Sequence, residues 1–219
     1  MTITAVGFDL DETLAVPARD RETILEDAVE AVDGPPLTRE SYLDAHGRNL
    51  TSDTREPIFA ALLDGHDADV EPARLAGVYR RKIADALVPL SGVEPFLRRL
   101  QDTYRVGLLT NGPSVAQRDK LTTLGWTDLF DVALVTGDLD AGKPDPAAFA
   151  ALLDALGSDP GETVYVGDDV DADIAGAADA GLVPVQVTFE GGPPVSPRAA
   201  AHVPRTRLVA ELPDLLEGV

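Results

Sequence analysis

The fold of this 219-residue chain is decided by the stretch Phe8-Asp9-Leu10-Asp11-Glu12-Thr13-Leu14. It follows an apolar run from Ile3 to Phe8, which predicts a buried strand. Because an extended chain points residues i and i+2 to the same side, we expect Asp9 and Asp11 to lie together where that strand ends. Two carboxylates this close repel each other unless a cation lies between them or one of them is protonated, and a divalent metal ion is the obvious cation. The alternative is a pair of solvated aspartates in an ordinary turn.

Length and composition indicate a globular protein with one large domain, or one domain with a smaller insertion. The sequence contains no cysteine, which excludes disulfides and thiolate metal sites. No signal peptide is visible and no apolar run approaches the roughly 20 residues of a membrane span. We therefore expect a cytoplasmic protein that does not associate with membranes.

The formal charge of −20 is the most unusual property of the composition. It argues against a nucleic-acid partner, because phosphates would be repelled, and it means that an anionic substrate needs explicit local cations. Acidic residues are spread along the whole chain, and lysine occurs only at Lys82, Lys120 and Lys143. Such an acidic, lysine-poor surface is typical of salt-loving (halophilic) organisms, in which salt screens self-repulsion. The alternative is an acidic face for a basic partner.

The order of predicted elements indicates an α/β fold. Before residue 90 the hydrophobic spacing predicts helices, at 20–33, 38–48, 54–64 and 71–86, and no strand between 15 and 88. After residue 90 strands and helices alternate: helix 93–101, strand Val106 to Thr110, helix 114–124, strand Val132 to Val135, helix 145–156, strand Val164 to Val166, helix 171–180, strand Val183 to Val187 and helix 208–217. This alternation predicts a Rossmann-like, doubly wound parallel sheet. The predicted domains are an α/β core, residues 1–15 and 90–219, and a small all-helical insertion, residues 16–89.

Polar residues follow four of the predicted strands. Ligands of open parallel sheets bind outside the carboxyl ends of the strands, so these residues are expected to share one crevice. They are Asp9 and Asp11, then Thr110, Asn111 and Gly112, then Lys143, and finally Asp168, Asp169, Asp171 and Asp173. Carboxylate oxygens suit Mg²⁺, and a hydroxyl, an amide and a lysine suit phosphate oxygens. The crevice is therefore expected to bind a magnesium ion and a phosphoryl group.

These residues resemble the haloacid dehalogenase-like superfamily, in its phosphatase branch with a helical (C1-type) cap inserted after the first motif. Four segments match in order and spacing: Asp9-Leu10-Asp11-Glu12-Thr13, Leu109-Thr110-Asn111-Gly112, Gly142-Lys143-Pro144-Asp145-Pro146, and Val166-Gly167-Asp168-Asp169 with Asp173-Ile174. The resemblance covers essentially the whole core. The cap matches only as helical sequence of suitable length.

The resemblance implies that Asp9 is the nucleophile, which attacks phosphorus to form an aspartyl-phosphate. Asp11 would act as general acid on the leaving oxygen and then as general base on the hydrolytic water. Asp9, Asp168 and the backbone carbonyl of Asp11 would be the protein ligands of Mg²⁺.

The same resemblance assigns the phosphate-binding residues. Thr110 and Asn111 would hold phosphoryl oxygens through hydroxyl and amide donors. Lys143 would bind the phosphoryl group and neutralise charge between it and the nucleophile, which makes it catalytic as well as substrate-binding.

Residues around this centre are expected in supporting positions. Asp173 would reach the metal through water or orient Lys143. For Asp169 three positions are open, as a direct metal ligand, in the same outer layer or in solvent, and the outer layer is favoured. Asp171 is expected to cap the following helix or face solvent. The hydroxyl of Thr13 is expected to satisfy the turn after the first strand.

Other polar residues carry weaker expectations. In the predicted cap, several side chains are candidates for binding a second anionic group of the substrate, although a solvated helix face is the simpler interpretation for each one: Arg48, Arg55, Tyr79, Arg80 and Arg81. The histidines, at positions 46, 66 and 202, lack metal-ligand spacing and are expected to be structural or exposed.

The expected function is magnesium-dependent hydrolysis of a small phosphorylated metabolite such as phosphoglycolate, a sugar phosphate or a nucleoside monophosphate. The first alternative is a 2-haloacid dehalogenase, but enzymes with that chemistry lack the second aspartate, so Asp11 argues for phosphoryl transfer. A phosphomutase and a non-catalytic regulatory homologue are the others. The expected oligomeric state is a monomer or homodimer.

Overall fold

Residues 2–218 are described by the computed structural model, and within them the centre of the protein is a six-stranded sheet. The strands are β1 (Ala5–Phe8), β2 (Ala15–Pro17), β3 (Leu87–Pro89), β4 (Arg105–Thr110), β5 (Val132–Val135), β6 (Thr163–Gly167), β7 (Val183–Thr188) and β8 (Ala201–Pro204). The central sheet has the order β5-β4-β1-β6-β7-β8, and each strand runs parallel to its neighbours. The fold class predicted from the alternating pattern is confirmed.

The helices cover the sheet and form a separate layer. They are α1 (Arg21–Glu30), α2 (Arg39–Gly47), α3 (Glu56–Leu63), α4 (Pro72–Ala86), α5 (Val93–Leu100), α6 (Ser114–Leu124), α7 (Pro146–Leu156), α8 (Gly176–Asp179) and α9 (Leu208–Gly218). Local signals explain their limits. Before α7 the Asp145 side chain accepts a hydrogen bond from the Ala147 backbone N–H (2.9 Å), and after it Gly157 adopts φ 66°.

Packing on both faces keeps the middle strands buried. All four residues of β1 are buried, as a parallel sheet with helices on both sides requires. One hydrophobic cluster includes Phe8, Val106 and Val166, and the other includes Phe149 and Leu152 of α7. The carboxyl ends of β1, β4 and β6 therefore meet at one edge of a rigid layer.

A helical unit, α1 to α4, lies between β2 and β3, which pair as a two-stranded antiparallel ribbon. The chain thus enters the helical unit from β2 and leaves it through β3, the strand that pairs with β2. The unit has its own cluster of buried residues, in which the rings of Tyr42, Phe59 and Tyr79 lie 5.1–5.7 Å apart. This separate cluster supports the predicted division at residues 15/16 and 89/90, which stays a prediction.

Some local expectations are wrong. The interval between residues 15 and 88 does contain strand, in β2 and at the start of β3, and β8 was not expected. The predicted helix at 171–180 is a π-helical turn, Val170–Ala175, followed by the single turn α8. Strands of three or four residues are too short for an alternating pattern to be recognised. None of the described helices is both long and apolar enough to span a membrane.

Candidate active site

A cavity of about 450 Å³ opens at the carboxyl ends of β1, β4 and β6. The strand ends line one side of it, and the helical unit lines the other through residues that include Tyr42, His46, Arg55 and Tyr79. The predicted site residues Asp9, Asp11, Thr110, Asn111, Lys143, Asp168, Asp169 and Asp173 all line this cavity. The expected convergence of the strand ends is what the parallel topology produces.

Asp9 and Lys143 form a buried ion pair at the centre of the cavity. The Lys143 Nζ donates to Asp9 Oδ1 at 2.8 Å, and the lysine is only 2% exposed. Burial raises the pKa of Asp9 to about 7, and the nearby Lys143 ammonium partly opposes that rise. Lys143 is thus a buried cation beside a carboxylate, the arrangement expected of a nucleophile that must accept an anionic group.

Two further residues contact Lys143. Its Nζ also donates to Asp173 Oδ1 (2.7 Å) and to the Tyr165 hydroxyl (2.8 Å), which in turn donates to the Leu109 carbonyl (2.8 Å). Burial by itself would lower the pKa of Lys143. The negative charges of Asp173 and Asp9 outweigh this effect and hold the pKa well above its usual range. Asp173 thus contacts Lys143, and the expectation that it orients this lysine stays a prediction. Tyr165 was missed, because in the sequence it is one more apolar residue of a buried strand.

Asp9, Asp168 and Asp173 each have one carboxylate oxygen in a group whose three atoms lie within 4.8 Å of one another. Burial, together with the charges of Asp173 and Asp9, raises the pKa of Asp168 to about 9. Such crowding of buried carboxylates calls for a cation, and hard oxygen donors are what Mg²⁺ prefers. The residues present therefore fit a magnesium ion. The Thr13 hydroxyl donates to Asp168 Oδ1 (3.2 Å) and so holds a candidate ligand rather than only the turn after β1.

Asp169, and not Asp171, caps the segment that follows β6. The Asp169 side chain caps the π-helical turn by accepting hydrogen bonds from the N–H groups of Asp171 (2.9 Å) and Ala172 (2.7 Å). Asp171 is exposed, which was one of its two expected positions. The capping residue is therefore Asp169, and its carboxylate is partly committed to the backbone.

Thr110 and Asn111 are both engaged with the protein. The Thr110 hydroxyl accepts a hydrogen bond from Gln117 Nε2 at 2.7 Å. The Asn111 side chain bonds the backbone of Lys143 twice: its Nδ2 donates to the carbonyl (2.8 Å) and its Oδ1 accepts from the N–H (2.9 Å). Asn111 thus positions the Lys143 loop, a function that its residue type alone did not indicate, and one amide hydrogen remains for a phosphoryl oxygen.

Three donors surround the carboxylate of Asp11. Lys120 Nζ (2.5 Å) and Gln117 Nε2 (3.0 Å) donate to its Oδ2, and Arg21 Nη2 (2.9 Å) donates to its Oδ1. Burial by itself would raise the pKa of Asp11. The positive charges of Lys120 and Arg21 outweigh this effect and hold the pKa well below its usual range. Burial lowers the pKa of Lys120 to about 8 despite the attraction of Asp11. Asp11 is therefore held ionised in this arrangement, as a proton acceptor must be.

These three partners were missed by sequence reasoning, although a signal for two of them existed. Gln117 and Lys120 stand three residues apart on α6, which starts just after Thr110-Asn111-Gly112, so they share one helix face. Lys120 is also one of three lysines in a very acidic chain. No comparable pattern marked Arg21, which comes from the helical unit.

The residues expected to face substrate from the helical unit separate into two groups. Arg55 and Tyr79 are buried and line the cavity. Arg48 and Arg81 are exposed, and Arg80 forms an ion pair with Asp119 of α6 (2.8 Å). The histidine at position 46, expected to be structural or exposed, also lines the cavity, and burial together with Arg55 lowers its pKa to about 3.

Comparisons with known proteins agree with this geometry. A family model described as haloacid dehalogenase-like hydrolase matches residues 3–181. A glyceraldehyde 3-phosphate phosphatase of Methanopyrus kandleri is 31% identical over 92% of this chain and 91% of its own length. An N-acylneuraminate-9-phosphatase of Rattus norvegicus is 28% identical over 99% of this chain and 95% of its own length. The crystal structure of a 2-haloacid dehalogenase from Pseudomonas syringae pv. Tomato DC3000 matches with a TM-score of 0.70 and 28% identity over 99% of both chains.

Proposed function

This chain belongs to the haloacid dehalogenase-like hydrolases and is a phosphoric monoester hydrolase, and from this premise we propose that it cleaves a small phosphomonoester through an aspartyl-phosphate on Asp9. The observation that carries the proposal is the buried Lys143, whose Nζ contacts Asp9 and Asp173 beside the carboxylate of Asp168. A cation beside a nucleophilic carboxylate suits transfer of an anionic phosphoryl group.

In the proposed mechanism, Asp9 attacks phosphorus in line, the aspartyl-phosphate bond forms, and the bond from phosphorus to the leaving oxygen breaks. Asp11 gives a proton to that oxygen in the first half of the reaction. In the second half, Asp11 takes a proton from water as the water attacks phosphorus, which releases inorganic phosphate and restores the Asp9 carboxylate. The second half requires an ionised Asp11, which the neighbouring Lys120 and Arg21 favour by lowering its pKa.

The other residues bind and orient the reacting groups. Lys143 neutralises the phosphoryl charge, and Thr110 and Asn111 supply donors to its oxygens. Asp9, Asp168 and the Asp11 carbonyl would hold Mg²⁺, while Thr13, Asp169 and Asp173 support this centre. When bound, the ion supplies positive charge that stabilises the transferring phosphoryl group. The helical unit, residues 16–89, would act as a cap that excludes bulk water.

The proposed substrates are small phosphorylated metabolites, with phosphoglycolate, sugar phosphates and nucleoside monophosphates as the classes to assay. The names of the relatives add glyceraldehyde 3-phosphate and N-acylneuraminate 9-phosphate to that panel. A cytoplasmic location and a monomeric or homodimeric state remain predictions.

The first test combines metal removal with substitution of the nucleophile. The wild-type protein should hydrolyse a chromogenic aryl phosphate with Mg²⁺ and lose that activity with a chelator. Asp9→Asn should lower kcat by at least about 10³-fold, because the amide is a far weaker nucleophile. Acid quenching during turnover, followed by mass spectrometry, should find one phosphoryl group on the peptide that contains Asp9.

The outcomes separate the alternatives. Release of halide from a 2-haloacid without phosphatase activity would identify a dehalogenase. Transfer of the phosphoryl group to a second sugar phosphate, faster than to water, would identify a phosphomutase. Absence of all turnover in the wild-type protein would favour a regulatory homologue, and full activity of Asp9→Asn would eliminate the aspartyl-phosphate route.

A further inference from the structure

The unsatisfied polar side-chain atoms of the described residues lie close together in this protein. Among residues 2–218, the buried side-chain atoms without a hydrogen-bond partner are His46 Nδ1, Arg55 Nε, Arg55 Nη1 and Gln117 Oε1. All three residues line the cavity that also contains Asp9 and Lys143. Native proteins leave few buried polar groups unpaired, so this cluster points to a ligand that supplies the missing partners.

Arg55 is the most costly of these groups to leave unpaired. Its side chain is buried, with 6% of the residue exposed, and no described carboxylate forms an ion pair with it. Its guanidinium lies over the Tyr79 ring, 5.3 Å from the centroid. The acidic residues beside it in sequence, Asp53 and Glu56, are exposed. A buried, unpaired cation is expensive, and the cost is offset when an anion enters the cavity.

The other cations of the cavity have acidic partners, with the exception of Arg39, which is only half-buried and lies over the Tyr42 ring, 5.2 Å from the centroid. Lys120 and Arg21 contact Asp11, Arg21 also contacts Glu12, and Lys143 contacts Asp9 and Asp173. Arg55 is therefore the buried cation of the cavity that has no acidic partner among the described residues. Its planar set of N–H donors suits the two oxygens of a carboxylate.

Gln117 indicates a second feature of the ligand. Its Nε2 lies within hydrogen-bonding distance of Asp11 Oδ2, the Thr110 hydroxyl and the Asn111 carbonyl, which together engage both of its hydrogens, whereas its Oε1 accepts no hydrogen bond from the described residues. A hydroxyl group on the ligand would satisfy that oxygen.

We propose that the substrate is the phosphomonoester of a hydroxycarboxylic acid, with its carboxylate bound by Arg55 and a hydroxyl group bound by Gln117. This inference rests on the proposed phosphatase function and narrows its substrate class. Arg55 is then the residue that selects the substrate, because it contacts a group remote from the bond that breaks.

The test uses pairs of phosphomonoesters that differ at one group. The pairs are 3-phosphoglycerate with glycerol 3-phosphate, and 4-phosphoerythronate with erythritol 4-phosphate, and every one of these compounds has a free hydroxyl group. In each pair a carboxylate replaces a hydroxymethyl group. The wild-type protein should prefer the carboxylate in at least one pair by about tenfold or more in kcat/KM. Glycerol 1,3-bisphosphate tests whether Arg55 binds a second phosphate group in place of a carboxylate.

Arg55→Met keeps the length of the side chain and removes its charge. It should lower kcat/KM for the preferred carboxylate by about 30-fold or more, chiefly through KM, and leave the uncharged partner nearly unchanged. Arg55→Lys, which retains the charge, should keep part of the preference. Arg81→Met is the matched control, since Arg81 is an exposed arginine of the same helical unit, and it should behave as wild type.

Hydrolysis of the aryl phosphate without carboxylate preference in either pair would overturn this inference and leave the proposed function standing. An Arg55-dependent preference for the bisphosphate would overturn the carboxylate assignment. If Arg55→Met fails to fold, the wild-type preference and the Arg55→Lys kinetics still decide the matter. Absence of activity on every phosphomonoester, including the aryl phosphate, would instead refute the proposed function.

Discussion

At the scale of single residues, the paired aspartates at the end of β1 have opposite surroundings. Asp9 is buried and its pKa rises to about 7, whereas Lys120 and Arg21 hold the pKa of Asp11 well below its usual range. The difference arises from their partners: Asp9 shares Lys143 with another carboxylate, and Asp11 has two cations to itself. Residues of the same type two positions apart are thereby prepared for different chemistry.

Lys120 is expected to act by positioning Asp11. Lys120→Met removes the 2.5 Å contact, so Asp11 should lose its orientation, and kcat should fall about 10- to 100-fold with little change in KM. Lys120→Arg should restore part of the activity. Steady-state kinetics on the aryl phosphate measure both effects.

Two comparisons control this prediction. Lys82→Met removes the remaining lysine, which lies on α4 outside the cavity lining, and should leave kcat unchanged. If Lys120 acts through Asp11, adding Lys120→Met to Asp11→Asn should cause no further loss. Fully multiplicative losses would show that Lys120 acts independently of Asp11.

At the scale of elements, the segment after β6 is the irregular part of the sheet's edge. The strand ends at Gly167, and the following π-helical turn, Val170–Ala175, brings Asp173 back toward the strand end. Asp173 Oδ2 accepts from the Asp169 N–H (3.0 Å) while its Oδ1 holds Lys143. A regular α-helix would point the Asp173 side chain in a different direction around the helix axis. π-Helical turns are frequent at functional sites.

Gly167 is expected to be essential to this arrangement because the Asp173 carboxyl group occupies the space where a Cβ atom would lie. Gly167→Ala should displace Asp173 and release Lys143, which lowers kcat by about 100-fold and destabilises the fold by about 1–3 kcal/mol. Gly77→Ala, in the middle of α4 with only an ordinary contact to Arg81, is the matched control. Kinetics and urea unfolding on both variants test the prediction, and unchanged kcat in Gly167→Ala would contradict it.

At the scale of the whole molecule, the distribution of charge is uneven. The formal charge is −20, yet Arg21, Arg39, Arg55, Lys120 and Lys143 line one cavity. A concave site with concentrated positive charge attracts small anions even when the remaining surface repels them. The acidic surface and the cationic cavity thus serve different purposes, solvation and substrate binding.

The net charge predicts that salt stabilises the protein. The midpoint of urea unfolding should rise as KCl increases from 0.1 to 1 M, because the Debye length falls from about 10 Å to about 3 Å and surface repulsion is screened. Sucrose at the same water activity is the control for effects that do not depend on charge. A midpoint that is flat or falls with KCl would contradict the halophilic interpretation of the composition.

Sequence alone determined the fold class and the shared location of Asp9, Thr110, Lys143 and Asp168, because the carboxyl ends of parallel strands always meet at one edge of the sheet. The roles assigned to those residues stay predictions. Only the tertiary structure decided which other side chains join them. Lys120 lies 109 residues from Asp11 along the chain, and Tyr165 lies 22 from Lys143. No local pattern encodes such contacts, since they depend on how each helix is rotated and packed. Arg55 is the clearest case: by sequence it is one arginine among several in the helical unit, and only packing buries it in the cavity without an acidic partner among the described residues.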